Sequence, residues 1–233
     1  LAKKYPDILA LTNNGQNIYG ARQNMDITHA GYLFHCERVI RAMMEHIKDV
    51  PHIIGFQLDN ETKSYGTAGP RVQAMFVDYL KEKYPDIKGW ISIPGTRIDY
   101  PVMQTKDNPN FYLKHAFDKS YSSYGVPYMQ ENCDVGISDN LMLYGHHMNN
   151  GSMFSDLCKY ESEDFYQDHK TIHFDTLDSF GEYEVIAAFK TVAYSEQGFK
   201  YYHFVRAEQE EDFDEFIAKC KELALYDTGV TAE

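Results

Sequence analysis

The sequence is poor in cysteine, with only Cys36, Cys133, Cys158 and Cys220 in 233 residues. No two of them form a C-x-x-C pair, and no cysteine–histidine group has zinc-site spacing. A disulfide framework is not expected from so few in so long a chain, and each reads as a small buried apolar residue. Positive charge is scarce as well: 22 Lys and Arg stand against 35 Asp and Glu, a net of −13. That balance excludes an ordinary nucleic-acid binder, which needs a basic face. No apolar run approaches the roughly 20 residues that span a bilayer. The start carries no basic-plus-apolar secretory signal, and it opens on Leu1 instead of Met, which reads as a fragment.

What is present suffices for a folded protein. Hydrophobic residues make up 43% and charged residues 24%, close to the globular average, so a disordered chain is not expected. The length suits one large domain or two small ones. The charge is unevenly spread, with a net of +1 over residues 1–88 and −14 over residues 89–233. A step of that size suggests two origins.

The first part reads as helix, strand, helix. Cys36, Val39, Ile40, Met43 and Ile47 recur at helical spacing, which predicts a helix over about 30–46 with one apolar face. Ile53-Ile54-Gly55-Phe56-Gln57-Leu58 reads as a strand buried on both sides, ending in Asp59-Asn60-Glu61. Gly69-Pro70 opens a second helix, with Pro in the first turn where its missing N–H costs nothing. A carboxylate at the end of a buried parallel strand is where barrel enzymes place catalytic groups, although from position alone Glu61 could equally be a solvated side chain.

The texture changes near Pro85. Trp90–Ile93, Pro94-Gly95 and Ile98–Val102 read as strand, type II turn, strand. A short helix is expected from Asn108-Pro109 through Phe117, and a strand over Leu141–Tyr144. Ser152 is expected to cap a helix through Tyr160, with a further turn at Asp164–Asp168. Strands are expected over Thr171–Phe174 and Tyr183–Tyr194, and an amphipathic helix through Phe213, Phe216, Ile217, Cys220 and Leu223. Cys158 should face a core from its helix. Gly145-His146-His147 follows the Leu141–Tyr144 strand, and a His beside a Gly at a strand end is a plausible acid/base. A surface His pair is the alternative. His146 and His147 point apart on extended backbone, and nothing completes a set around His169 and His173, so no metal is expected.

Two resemblances sharpen this. Tyr19–Asn24, the long helix and above all Gly55-Phe56-Gln57-Leu58-Asp59-Asn60-Glu61 resemble glycoside hydrolase family 42 β-galactosidases, over roughly residues 1–84. Phe56 stands where that family often has Trp. The resemblance implies that Glu61 is the general acid/base and Asn60 its neighbour in the sugar site. Retaining hydrolysis needs a second carboxylate about 5 Å away, and a complete barrel needs roughly 250 residues, so this segment is expected not to hydrolyse a galactoside.

The remainder resembles class B sortases over about residues 89–233, on Gly89–Thr96, Ile98–Val102, Asn140–Met148 and Gly151–Leu157. The resemblance implies an extracellular cysteine transpeptidase of a Gram-positive bacterium. Its partners would be a sorting-signal peptide and a cell-wall amine, and it would need no cofactor. His146 takes the place of the catalytic His, with His147 its neighbour. The family's nucleophile ends a T-L-x-T-C strand after the helix that here ends near Tyr226, and an Arg follows on the next strand. Neither is found in residues 227–233, and Arg97 and Arg206 lack the family's context, so the chain alone is expected to be inactive and its open barrel prone to self-association. The family's membrane anchor is likewise not found in this chain.

The expected fold is mixed. A mainly-β, sortase-type eight-stranded β-barrel lacking its last strands occupies residues 87–233. An α/β fragment of a (β/α)8 barrel precedes it over residues 1–86. A fragment of a retaining β-galactosidase is the alternative function, and a non-catalytic carbohydrate- or peptide-binding protein, suggested by 19 tyrosines, is the third.

Overall fold

A computed structural model describes residues 3–12, 14–17, 25–51, 69–192 and 198–231. The chain forms two compact units, Leu1–Tyr79 and Leu80–Glu233.

In the first unit, helix α1 spans Ala30–Ile47, as its periodicity predicts. His29 caps it, its Nδ1 accepting the Gly31 N–H at 3.0 Å. The apolar stripe is present, but no α1 residue is buried, and Phe34, Val39 and Met43 are exposed. Helix α2 runs Pro70–Lys83, starting at the expected proline. Asp26 is buried and accepts both the Thr28 N–H and hydroxyl, and it pairs with Arg71. The expected strand at 53–58, with Asn60 and Glu61 at its end, lies outside the described residues.

The second unit is built on one sheet of six strands among the described residues. They are β1 (Ile87–Ser92), β2 (Asp99–Met103), β3 (Tyr128–Met129), β4 (Leu143–Tyr144), β5 (Thr171–Thr176) and β6 (Glu182–Glu184), in the order β4-β3-β2-β1-β5-β6. Only the β2–β3 pair is parallel. The β1–β2 hairpin forms as its turn residues dictate. Gly95 has φ +81°, and Thr96 N–H donates to Ile93 O at 3.1 Å, the closure of a turn with glycine in third place. On β1, Ile87, Gly89 and Ile91 are buried while Trp90 lies outward, the period of two that a half-buried strand shows. Ile91, Ile93, Ile98, Val102, Met129, Phe154 and Phe174 form the main core. Each such side chain contributes about 1.5–3 kcal/mol by leaving water.

Helix α3 (Glu163–Asp168) is capped by Ser162, and α4 (Glu210–Leu223) opens on a capping box between Gln209 and Asp212. Four local expectations need correction. The helix expected from Pro109 to Phe117 is only a 3-10 turn at Phe111–Leu113, because the chain reverses there to pair with residues 122–126. The strand at 141–144 keeps only its last two residues. Ser152 does not cap a helix. Met153 intervenes with φ +56°, a 3-10 helix follows at Phe154–Glu161, and the Ser152 hydroxyl donates to Asn150 Oδ1. Of the strand expected over 183–194, residues 193 and 194 lie outside the described residues, and the part through 192 is strand only at Glu182–Glu184, where β6 has a single neighbour among the described strands.

Candidate active site

His146 leaves the sheet two residues after β4. The strand aims the chain outward, and Gly145 lets it pass against the Phe154 ring. His146 is half-buried and His147 exposed. The His146 carbonyl accepts the Phe154 N–H at 2.9 Å, and His147 bridges to Met153. The loop therefore closes on itself directly behind the imidazole. The ring itself makes one hydrogen bond among the described residues, from Nε2 to the Leu113 carbonyl at 2.8 Å.

A polar frame fixes the rest of the loop. Buried Ser155 accepts the Met148 N–H through its hydroxyl at 2.6 Å. The Tyr100 hydroxyl, from β2, accepts the Met153 N–H at 3.0 Å. Asp156, also buried, accepts the Arg97 backbone N–H at 2.8 Å and pairs with Lys159 at 2.9 Å. The Lys159 ammonium and the Arg97 N–H hold the Asp156 carboxyl below its usual range against the opposing effect of burial. The Arg97 guanidinium donates to Asn150 O at 2.7 Å, so this arginine ties the β1–β2 turn to the histidine loop.

The cysteines stand apart from the imidazole's hydrogen bonds. Cys133 is buried, its thiol donating to Asn140 O and accepting from Met142 N–H, and burial pushes that thiol up. Cys220 is buried on α4 and pushed up for the same reason. Cys158 is exposed, contrary to expectation, because it is the fifth residue of a 3-10 helix, whose three residues per turn place it on a different face from an α-helix. His169 is bonded through Nδ1 to Phe165 O, and His173 lies on β5. Among the described residues no group of three His, Cys, Asp or Glu could hold a metal ion.

The sequence pointed to His146 as a candidate but not to the groups that hold its loop. Tyr100, Ser155 and Asp156 lie inside the stretches that carry the family resemblance, yet no role attached to any of them. Leu113 acts through a backbone carbonyl, which no residue pattern reveals. Gly125, beside it, stands in Tyr124-Gly125-Val126-Pro127, where a turn signal was legible.

Residues 91–212 match the family model for the sortase domain, and residues 1–95 match that for glycoside hydrolase family 42, described as a β-galactosidase. Sortase B of Listeria monocytogenes is 32% identical over 154 residues, covering 65% of this chain and 59% of that protein. Sortase B of Staphylococcus aureus is 31% identical over 156 residues, covering 65% and 60%. The chain thus spans less than two thirds of the length of these curated relatives. Among solved structures, sortase B from Listeria monocytogenes has a TM-score of 0.59 at 29% identity, covering 68% of this chain and 87% of that one. The Staphylococcus aureus sortase B–substrate complex reaches 0.63 at 24% identity, covering 87% and 81%, a likeness of fold.

Proposed function

This chain belongs to the sortase family, in its class B branch, and from that premise we propose that the Leu80–Glu233 unit carries the proton-transfer half of a cysteine transpeptidase site. In thiol acyl transfer, a cysteine sulfur attacks the scissile amide carbon. The C–N bond breaks, and the leaving amine takes a proton from the imidazolium. An incoming amine then attacks the thioester, gives its proton to the imidazole and expels the thiolate, which restores the starting imidazolium–thiolate pair. His146 is the group that moves the proton. The observation that carries this is its setting: a half-buried ring at the end of β4, on a loop braced from β2 and from the β1–β2 turn, with one nitrogen engaged.

By the family resemblance, the acyl donor is a sorting-signal peptide near the C-terminus of a secreted protein. The acceptor is a cell-wall amine, and the reaction takes place at the outer face of the cell membrane. No helix among the described residues is long and apolar enough to cross a membrane. None of the three cysteines of the Leu80–Glu233 unit is set up as the nucleophile: Cys133 and Cys220 are buried with raised thiols, and Cys158 is exposed on its 3-10 helix. Residues 1–233 alone are therefore expected not to cleave the peptide.

The test uses a fluorogenic sorting-signal peptide and the histidine side-chain NMR signals of the chain. The peptide is expected to shift the His146 signal without being cleaved. An unmoved His146 signal sinks the assignment of the site. Cleavage that disappears in His146→Ala sinks the claim that no nucleophile is present.

The match of residues 1–95 favours a second reading for the first unit. There Glu61 is the acid/base inherited from a retaining β-galactosidase and Asn60 its neighbour. Such a site needs a second carboxylate about 5 Å away, and no turnover of a nitrophenyl galactoside is expected. Turnover lost on Glu61→Gln would show a working glycosidase.

A further inference from the structure

We infer that the Leu113 carbonyl, braced by Gly125, fixes the tautomer of His146, so that Nδ1 is the nitrogen that gives and takes the proton. The inference deepens the reading of His146 as the acid/base and names the atom and its positioning residues.

The acceptor that faces the imidazole decides which nitrogen carries its proton. A carbonyl oxygen can only accept, so a contact of 2.8 Å from Nε2 to Leu113 O requires a proton on Nε2. A neutral imidazole carries one N–H, which leaves Nδ1 bare. Nδ1 has no hydrogen-bond partner among the described residues. It is the nitrogen open to a substrate amine.

The Leu113 carbonyl is available because of where it sits. It ends the 3-10 turn Phe111–Leu113, and the last carbonyls of a helical turn lack partners inside the turn. Its neighbours are already used. Phe111 O accepts from Lys114 N–H and from His115 Nδ1, Tyr112 O from Val126 N–H, and Lys114 O from Ser122 N–H. The Leu113 carbonyl is left for the imidazole, across 33 positions of sequence.

Gly125 sets the height of that carbonyl. Its φ is +60°, a conformation that side chains disfavour. A Cβ there would lie 2.5 Å from Tyr112 O and 2.7 Å from Leu113 O, with both contacts to backbone that has no rotamer to yield. Residue 125 must therefore be glycine for the turn to sit where it meets His146. Gly136 offers a matched comparison: φ is +76°, and nothing lies within 4 Å of its would-be Cβ.

The test is long-range 15N–1H spectroscopy of the full chain labelled at histidine nitrogen, at a pH above the imidazole titration and without peptide. His146→Gln identifies the signal by its loss. The Nε2–H tautomer is expected to dominate. A dominant Nδ1–H tautomer, or an even mixture, overturns the inference, and this measurement decides the matter even if no variant folds. Gly125→Ala is expected to lower the ratio of Nε2–H to Nδ1–H by about three- to tenfold, the weight of one ordinary hydrogen bond. Gly136→Ala, with the same backbone strain, should leave the ratio unchanged. Equal shifts in both variants overturn the role of Gly125. Because the peptide is absent, the result stands apart from the peptide experiment. A peptide that leaves His146 unmoved defeats the proposed function while the tautomer assignment survives.

Discussion

Gly145 and Phe154 are in van der Waals contact across the histidine loop, so close that a Cβ on Gly145 would lie 2.5 Å from Phe154 Cδ2. Phe154 is itself a core residue, packed with Ile91, Val102 and Phe174. One contact thus couples the entry to His146 with the centre of the sheet.

Gly145→Ala should therefore overpack the core edge. The expected loss is about 1–3 kcal/mol, the usual cost of inserting a methyl where the neighbours cannot move aside freely. A lower urea midpoint together with a changed His146 ring signal is the expected outcome. An unchanged midpoint would mean that Phe154 yields without cost.

Acid should loosen the same loop through Asp156. Its carboxyl is held down chiefly by the Lys159 ammonium, so its folded-state pKa lies below the unfolded value of about 3.9. A depressed pKa contributes stability above the unfolded value and loses it as pH falls through the folded one. Thermal melts from neutral pH down to about pH 2 should show that loss, and Asp156→Asn should be less stable at pH 7 with a shallower acid slope. The same slope in both proteins would remove Asp156 from the account.

Alkali should act through Tyr160. Burial pushes its phenol up to about 12, and the hydroxyl donates to His169 O at 2.5 Å. A raised pKa contributes stability that is complete below the unfolded value of about 10 and is lost as pH rises through the folded one. Absorbance titration should show one fewer late-ionising tyrosine in Tyr160→Phe. An identical titration curve would contradict the burial argument.

Thiol reactivity should divide the cysteines. Cys158 is exposed and should react at once with a chromogenic disulfide, while Cys133 and Cys220 are buried and should react only on unfolding. Cys158→Ser should delete part of the rapid phase. If Cys133 were labelled in the native state, its enclosed hydrogen bonds to Asn140 and Met142 would be transient.

The α1, α2 and α4 helices were legible because their apolar residues recur at three and four positions, and the Pro94-Gly95 turn because it demands one residue with positive φ. The resemblance to class B sortases was legible over the second part, and the family match bears it out. Strand lengths were less legible. β4 and β6 lie at the two edges of the sheet, where a single neighbour limits the ladder to two and three residues.

By itself the sequence determined the helices α1, α2 and α4, the Pro94-Gly95 turn, the joining of two family resemblances in one chain, and the position of His146 just after an apolar strand. Those are matters of spacing over a few residues, where backbone geometry and side-chain periodicity act directly. Only the tertiary structure decided which carbonyl meets His146, why residue 125 is glycine, that Asp156 anchors the loop to the backbone of Arg97, and that Cys158 faces solvent. Those pairs are separated by 33 positions for Leu113 and His146 and 59 for Arg97 and Asp156. Sheet order brings them together, and no local period records it.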